Sequence, residues 1–568
     1  MISISLGDMD WNKTGAWRTQ RPFYEDKIPP CNAACPAGND IVGFIQKITQ
    51  DDFEGAWHLI KEENPFPGIC GRVCFHPCES KCNRGNFDEP IAIHALERFV
   101  ADFSTASLPK KIQKIPKERK EKIAIIGSGP AGMSCAYHLA KLHYEVTVFE
   151  SLPFAGGVLR MGIPSYRLPK DVLDREISNI EALGVEIRTG VSIGEEIKIE
   201  ELKDYQAIFI ATGAHRSRGL NIPGEKGRGT LSGLDILKRI NLNGKVKMGE
   251  KVSIIGGGNT AIDVARSVIR LGKKATILYR RSKEEMPAFE DEIMEAIEEG
   301  VKIRYLVNPI RIQQKDNMKR LECLRMELGE KDESGRRRPV PIPNSNFFIE
   351  EDSVIIAAGE EIEVSFLPKG MEEREGIVLT QRDGSTGIKG IFAGGDLTSN
   401  QRTVAHAMGS GKKTALAIDC YLKGKDSEEA IRQILIGEGP SISIFRHLYS
   451  DERPRNPHVV TFEELNTDYF EPSKRRRESK GLVKKRIKGF GEVTSGFTGS
   501  ITLEEAERCF SCGTCNGCEN CYVFCPDASI IKTEEILSHQ VDYDFCKGCG
   551  ICFSECPRGA ISLKEEAR

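Results

Sequence analysis

The chain has 568 residues, 80 of them Lys or Arg and 83 Asp or Glu, for a formal charge of −3. That length suits about three to four domains, and the balanced charge gives no global field for nucleic acid or an anionic membrane. No apolar run approaches the roughly 18 residues of a membrane span, and the opening MISISLGDMDWNKTG lacks the basic-then-apolar pattern of a secretory signal, so a cytoplasmic protein is expected.

Nineteen cysteines fall in two groups, Cys31 to Cys82 and Cys509 to Cys556, with only Cys135, Cys323 and Cys420 between them. In a reducing compartment such groups are more often metal ligands than disulfides. Residues 1–114 read as a small helical domain in which Cys31-x3-Cys35-Pro36 is followed by Cys70-x3-Cys74-x3-Cys78-x3-Cys82 and by the helix-like IAIHALERFVADF. Zinc sites usually show paired Cys-x2-Cys units, and x3 spacings with Cys-Pro fit iron–sulfur better. His76 reads as a spacer inside the run, and residues 109–122 as a charged, Pro-punctuated connector.

Lys122 to Glu150 then reads as strand, Gly-rich turn, helix and strand, closed by an acid. Gly127, Gly129 and Gly132 form G-x-G-x-x-G directly after an apolar run. The first Gly permits the turn, the second lets backbone approach a pyrophosphate, the third lets helix and strand pack, and Glu150 can take a ribose hydroxyl. A Gly/Pro-rich loop, GGVLRMGIPSYRLP, and the strand leading to Ala211-Thr212-Gly213 follow. A second unit starts at Lys251, where Gly256, Gly258 and Ala261 form G-x-G-x-x-A. Its second strand ends in Tyr279-Arg280-Arg281 in place of an acid, and guanidinium groups can grip a 2′-phosphate, which favours NADP. VIIAAGE closes this excursion, and IFAGGDLTSNQRTV then offers Gly395 and Asp396 to a flavin. One dinucleotide unit nested in another is the plan of a two-domain flavoprotein reductase. The expected divisions are FAD at 115–218 and 346–425, NAD(P) at 219–345, and a polar linker over 426–512 that carries a displaced Cys-x2-Cys segment and a basic run, Lys474–Arg477, read as solvated or partner-facing.

The tail, 513–568, carries the most specific pattern. Cys515-x2-Cys518-x2-Cys521-x3-Cys525-Pro526 is repeated as Cys546-x2-Cys549-x2-Cys552-x3-Cys556-Pro557. In the bacterial two-cluster ferredoxin pattern each fourth Cys serves the other cluster, giving Cys515, Cys518, Cys521 and Cys556 for one and Cys525, Cys546, Cys549 and Cys552 for the other.

Over residues 25 to 425 the motifs CGRVCFHPCESKC, GSGPAG, GGVLRMGIPSYRLP, IATGAH, GGGNTAIDVAR, YRRSKEEMP and AGGD resemble the glutamate synthase small (β) subunit. They equally resemble the large subunit of NADH-dependent ferredoxin:NADP oxidoreductase and the N-terminal part of dihydropyrimidine dehydrogenase. The resemblance implies FAD on the first unit, held by Gly127, Gly129, Pro130, Ala131, Gly132, Glu150, Gly157, Arg160, Gly162, Ala211, Thr212, Gly213, Gly395, Asp396, Thr403 and Val404. It implies NAD(P)H on the second, at Gly256, Gly258, Asn259, Thr260, Ala261, Arg280, Arg281, Ala358 and Gly359, and two N-terminal 4Fe–4S clusters.

One departure stands out. The Cys-x2-Cys pair that the family carries before the position of Cys31 is missing, while Cys509-x2-Cys512, within EEAERCFSC, is surplus to the ferredoxin pattern. We therefore expect Cys31, Cys82, Cys509 and Cys512 to share one cluster. The family's other N-terminal cluster would use Cys35, Cys74, Cys78 and Glu97.

The fold expected is multidomain α/β: a helical iron–sulfur domain, nested FAD and NAD(P) Rossmann-like domains and an α+β ferredoxin-like tail. The function expected is electron passage between a nicotinamide and a 4Fe–4S chain, to or from ferredoxin or a redox partner subunit in a hetero-oligomer. The flavin carries the chemistry, so no catalytic side chain is nominated. The alternatives are a glutamate synthase small subunit in the strict sense, which would need a separate large subunit, and a non-enzymatic relay with a vestigial NAD(P) site.

Overall fold

The computed structural model describes residues 12–15, 18–107, 112–227, 229–316, 318–449, 456–532 and 539–566. Within them the runs Lys122–Ile126 and Ala207–Ile210 are buried almost throughout, as strands covered on both faces must be. They lie in an all-parallel five-stranded sheet of order Ile391–Ala393, Ala207–Ile210, Lys122–Ile126, Glu145–Glu150, Glu186–Thr189. The crossover helix Pro130–Lys141 opens on proline, whose missing N–H is no loss in the first turn. The helix Val404–Lys423 packs on it. Thr403 caps its N-terminus by accepting from the His406 amide, and Gly424 ends it in the left-handed region. The two helices approach so closely that a Cβ on Gly411 would lie 2.0 Å from the Ala131 carbonyl oxygen.

The second unit is another parallel sheet, of order Lys302–Tyr305, Lys274–Tyr279, Lys251–Ile255, Ser353–Ile356, Thr230–Ser232. This corrects the boundary expected at 345/346. Ser353–Ile356 is fully buried and pairs on both sides inside the second sheet, and the first sheet resumes only at Ile391. An antiparallel sheet made by Val307–Lys315, Met318–Lys331, Arg337–Pro341 and Phe347–Glu351 is inserted before that return. Long alternating strands with charged outward faces did not stand out from loop in the sequence.

The N-terminal helices Ile41–Thr49, Phe53–Glu63, Pro67–Val73 and Ile93–Ser107 share one apolar core with the first unit, in which Phe44, Ile69 and Leu96 join Ile125, Met133 and Tyr137. Lys412, 1% exposed, reaches from the helix Val404–Lys423 into this junction. It donates to Glu63 and the Ile442 carbonyl at 2.8 Å each, and to the Ala37 carbonyl just beyond Cys35.

Within the linker expected over 426–512, residues 456–512 are not free of the body. Arg475 pairs with Glu79 at 2.6 Å, and Arg98 holds Glu478 at 2.9 Å. Arg72 holds Glu492 at 2.8 Å, and Lys480 reaches Glu295 at 2.7 Å. Arg486 meets Glu298 at 2.6 Å and Glu299 at 3.1 Å. The stretch is thus a strap across the iron–sulfur domain and the second unit. In its basic run Lys474, Arg476 and Arg477 are exposed, as a solvated run would be, and the Arg475 side chain alone reaches a buried carboxylate, Glu79. The helix Gly499–Glu507 then brings Ala506 into the N-terminal core. The chain's ends also interlock, since Gln20–Tyr24 pairs antiparallel with Ile561–Glu565 of the tail. Among the described residues no helix is long and apolar enough to cross a membrane.

Candidate functional site: a dinucleotide cleft beside cysteine sites

A cleft of about 580 Å³ opens where the strands Lys122–Ile126 and Glu145–Glu150 end. Gly127 and Gly132 have no room for a side chain: a Cβ would sit 2.5 Å from the Ala211 carbonyl oxygen and 1.9 Å from that of Gly127, respectively. A Cβ on Gly129 would meet nothing within 4 Å. The turn is therefore closed against its own chain and open only toward the cleft, which is what close approach of a pyrophosphate requires. Glu150 accepts from the Ser128 hydroxyl at 2.5 Å, the Ser128 amide at 3.1 Å and the Leu152 amide at 2.8 Å. Thr212 lines the cleft, and its buried hydroxyl has no protein partner, as a ligand-facing donor should.

Gly127, Gly129, Pro130, Ala131, Glu150, Gly157, Gly162, Ala211, Thr212, Gly213, Gly395, Asp396, Thr403 and Val404 all line this cleft. Arg160 does not. Its guanidinium donates to the Ala155 carbonyl at 2.9 Å and to Asp174 at 2.5 Å, so it braces the loop that forms the cleft wall. Burial pushes the Asp396 carboxyl up to about 6, against the pull of Arg402.

Asn259 and Thr260, which open the second unit's helix, line the same cleft from the opposite side. Thr260 donates to Glu360 at 2.9 Å, and Arg402 donates to the Glu360 carbonyl at 2.7 Å, so the turns of the two units are bonded across the mouth. Gly256 is held at φ 149, where a Cβ would lie 2.1 Å from the Ala357 carbonyl oxygen, while Gly258, like Gly129, is open. Ala261 is buried beneath the turn, and Ala358 and Gly359 follow the strand Ser353–Ile356. The paired arginines separate. Arg281 is buried and spent, donating to Asp332 at 2.7 Å and to the Arg337 carbonyl at 2.8 Å. Arg280 is exposed, and burial of its stem together with Arg281 and Arg336 depresses its affinity for protons.

The cysteines gather as sets. Burial, and then the sulfurs of Cys82, Cys509 and Cys512, push the Cys31 thiol well up, which places all four in one neighbourhood. Cys35, Cys74, Cys78 and Glu97 line a second small void together with Asn39, Asn64 and Cys70. Cys70 instead turns its thiol toward the Met408 sulfur at 3.6 Å. In the tail Cys515, Cys518, Cys521 and Cys556 line a third site. Burial, then Cys546, Cys549 and Cys521, push the Cys552 thiol up to about 12, and Cys525 packs beside Cys521 and Cys552. Several sulfurs have donors aimed at them: the His76 amide at Cys74 (3.4 Å), the Ser511 amide at Cys509 (3.4 Å), the Asn83 amide group at Cys512 (3.6 Å) and the Tyr24 hydroxyl at Cys521 (3.0 Å). Such donors suit thiolates bound to iron.

His76 stays a spacer. It stacks on His94 at 4.0 Å between ring centroids, and the neighbouring Glu79 is already paired with His94 and Arg475. The sequence reading missed Ser128, Tyr24 and the residues on either side of Cys74. Val73 and Phe75 line the dinucleotide cleft while Cys74 lines the Glu97 void, and Val404 and Ala405 divide in the same way. Cleft and cysteine site thus share a wall one residue thick. Only the fused motif Cys70-Gly-Arg-Val-Cys74-Phe75 hinted at it.

Two nested dinucleotide units facing one cleft define a flavin- and nicotinamide-dependent reductase. Residues 121–411 match the pyridine nucleotide-disulphide oxidoreductase family, and the chain belongs to it. Residues 19–108 match the 4Fe–4S domain II of dihydropyrimidine dehydrogenase, and 539–562 match a 4Fe–4S binding domain. The chain is 38% identical over 523 residues to the NADP(+)-dependent formate dehydrogenase subunit beta of Moorella thermoacetica, covering 87% of this chain and 71% of that one. It is 36% identical to the NADPH-Fe(3+) oxidoreductase subunit beta of Geobacter sulfurreducens, with 86% and 76% covered. It is 30% identical to the glutamate synthase [NADPH] small chain of Escherichia coli K12, with 70% and 89% covered. The protein is an FAD- and NAD(P)-dependent oxidoreductase with 4Fe–4S domains. These three relatives are named as a subunit beta, a subunit beta and a small chain.

Proposed function

We propose that the protein exchanges electron pairs with NAD(P)H at the cleft and single electrons with a partner at the ferredoxin-like tail. The observation that carries this is the shared wall, with Val73 and Phe75 on the cleft side of Cys74. When bound, FAD supplies hydride exchange with the nicotinamide and hands on electrons one at a time, and 4Fe–4S clusters carry them.

The chain's residues hold and orient these groups. Glu150 takes the ribose of FAD, the Gly127–Gly132 turn its pyrophosphate, and Thr212 and Asp396 the parts nearer the ring. Asn259, Thr260 and Arg280 receive the nicotinamide dinucleotide, with Arg280 as the 2′-phosphate contact and Arg281 as its structural support. Cys35, Cys74, Cys78 and Glu97 hold the cluster nearest the cleft. Cys31, Cys82, Cys509 and Cys512 hold the next. The Cys515/Cys518/Cys521/Cys556 and Cys525/Cys546/Cys549/Cys552 sets hold the outer pair. Cys518 and Cys549 are exposed, alongside the exposed Tyr522, Val523, Phe524 and Phe553, which suits a docked redox partner subunit or a soluble ferredoxin.

The test is anaerobic reduction of the purified holoprotein by NADPH. Bleaching of the flavin followed by cluster signals in electron paramagnetic resonance (EPR) is expected. A flavin that does not bleach would leave only the relay reading.

A further inference from the structure

Glu97 is 6% exposed and sits among three cysteines, and one of its two oxygens is spoken for. Oε1 accepts from the Asn39 side-chain nitrogen at 3.0 Å and from that of Asn64 at 2.8 Å. Both amides are buried, Asn39 at 3% and Asn64 at 0% exposure. Neither can turn away cheaply. The Asn64 oxygen accepts from the Phe66 amide at 2.7 Å, which fixes its nitrogen toward Glu97. Asn39 lies just beyond Cys35 in the chain and lines the void with it. Its own side-chain oxygen is buried without a partner, an uncommon cost for a residue whose bond to Glu97 could be replaced by apolar packing.

We propose that Asn39 and Asn64 form an amide clamp. It commits Glu97 to iron through Oε2 alone and sets the reduction potential of this cluster. The inference rests on the reading of Glu97 as a ligand. Outer-shell donors orient a ligating carboxylate, and hydrogen bonds around a cluster tune its potential. Two amide donors on Oε1 draw electron density off the carboxylate, so the iron is less electron-rich and easier to reduce. A bare carboxylate in the same place would give a more negative potential. Asn39 and Asn64 are positioning residues, and both line the void that holds Glu97 and its three cysteines.

The experiment is an EPR-monitored redox titration of the anaerobically purified holoprotein, with iron content measured on each sample. Asn39→Ala is the primary variant, because among the described hydrogen bonds its side chain serves Glu97 alone. Asn64→Ala is the second. Both should keep their iron and move the midpoint of one cluster to a more negative potential, the others staying in place. In a Glu97→Cys background, which has no Oε1 to clamp, Asn39→Ala should give a clearly smaller shift. Unchanged midpoints at full iron content, an equal shift in both backgrounds, or loss of about four iron atoms from Asn39→Ala would each overturn the clamp. Failure of the ligand reading shows up separately, as a Glu97→Cys protein whose cluster spectra and midpoints match the parent.

Discussion

Cys31, on the helix Pro30–Ala34, and Cys509, just past the helix Gly499–Glu507, share one buried site although almost the whole chain separates them. Cys82 and Cys512 close it, and Asn83 donates to Cys512 from the residue beside Cys82. The arrangement ties the N-terminal helices to the strap at 456–512, which runs on into the tail.

The full chain should hold about sixteen iron atoms in four clusters. Replacing Cys509 and Cys512 by Ser should remove about four of them and leave the flavin in place. Iron and FAD assays on the anaerobically purified protein check this.

The glycines of the first turn should separate folding from binding. Gly132→Ala puts a Cβ against the Gly127 carbonyl and should lower stability by about 1–3 kcal/mol, whatever is bound. Gly129→Ala meets open space and should leave the melting temperature of the FAD-free protein unchanged while weakening FAD retention. Thermal melts of both forms, with FAD content, read the difference.

Arg280→Ala should raise KM for NADPH roughly 10- to 100-fold with little effect on NADH, as loss of a hydrogen bond between charged groups implies. Arg281→Ala should instead destabilise the second unit, because Asp332 would lose the partner that buries beside it. Steady-state kinetics with both nucleotides, beside melting curves, distinguish the two roles.

The second unit should lose stability in acid. Burial works to raise the Glu299 carboxyl, but Arg270 and Arg266 hold it down to about 2, below its ordinary 4.5. A folded-state value below the unfolded one means that the stabilisation is complete above about pH 4.5 and is lost as the pH falls through about 2. Glu299→Gln should therefore lower stability at neutral pH and show a shallower decline across that window. Denaturant titrations at a series of pH values measure it.

The nested units, most cleft residues and the grouping of the tail cysteines were legible because each is a local pattern: a glycine spacing after a strand, or a cysteine spacing. The Cys31/Cys82/Cys509/Cys512 grouping was legible only by difference, from a pair missing at one end and surplus at the other. What stayed hidden is set by packing between distant segments. Arg281 looked like a ligand contact until Asp332 arrived from the inserted sheet. Arg160 looked the same until Asp174 and the Ala155 carbonyl claimed it. The run Lys474–Arg477 stays largely exposed, but nothing local marked Arg475 as the partner of the buried Glu79. The strand Gln20–Tyr24 had no local reason to join the tail's sheet, and the boundary at 345 fell wrong because a returning strand carries no mark of which sheet it enters.

The most direct test of the account follows electrons through the shared cysteine site. The holoprotein and its Cys509→Ser/Cys512→Ser variant are mixed anaerobically with NADPH and freeze-quenched, and the flavin and the tail clusters are read by absorbance and EPR. The account predicts flavin bleaching in both, with tail-cluster reduction fast in the parent and strongly slowed in the variant. Tail clusters reduced at the parent's rate in a variant that has lost about four iron atoms would contradict it.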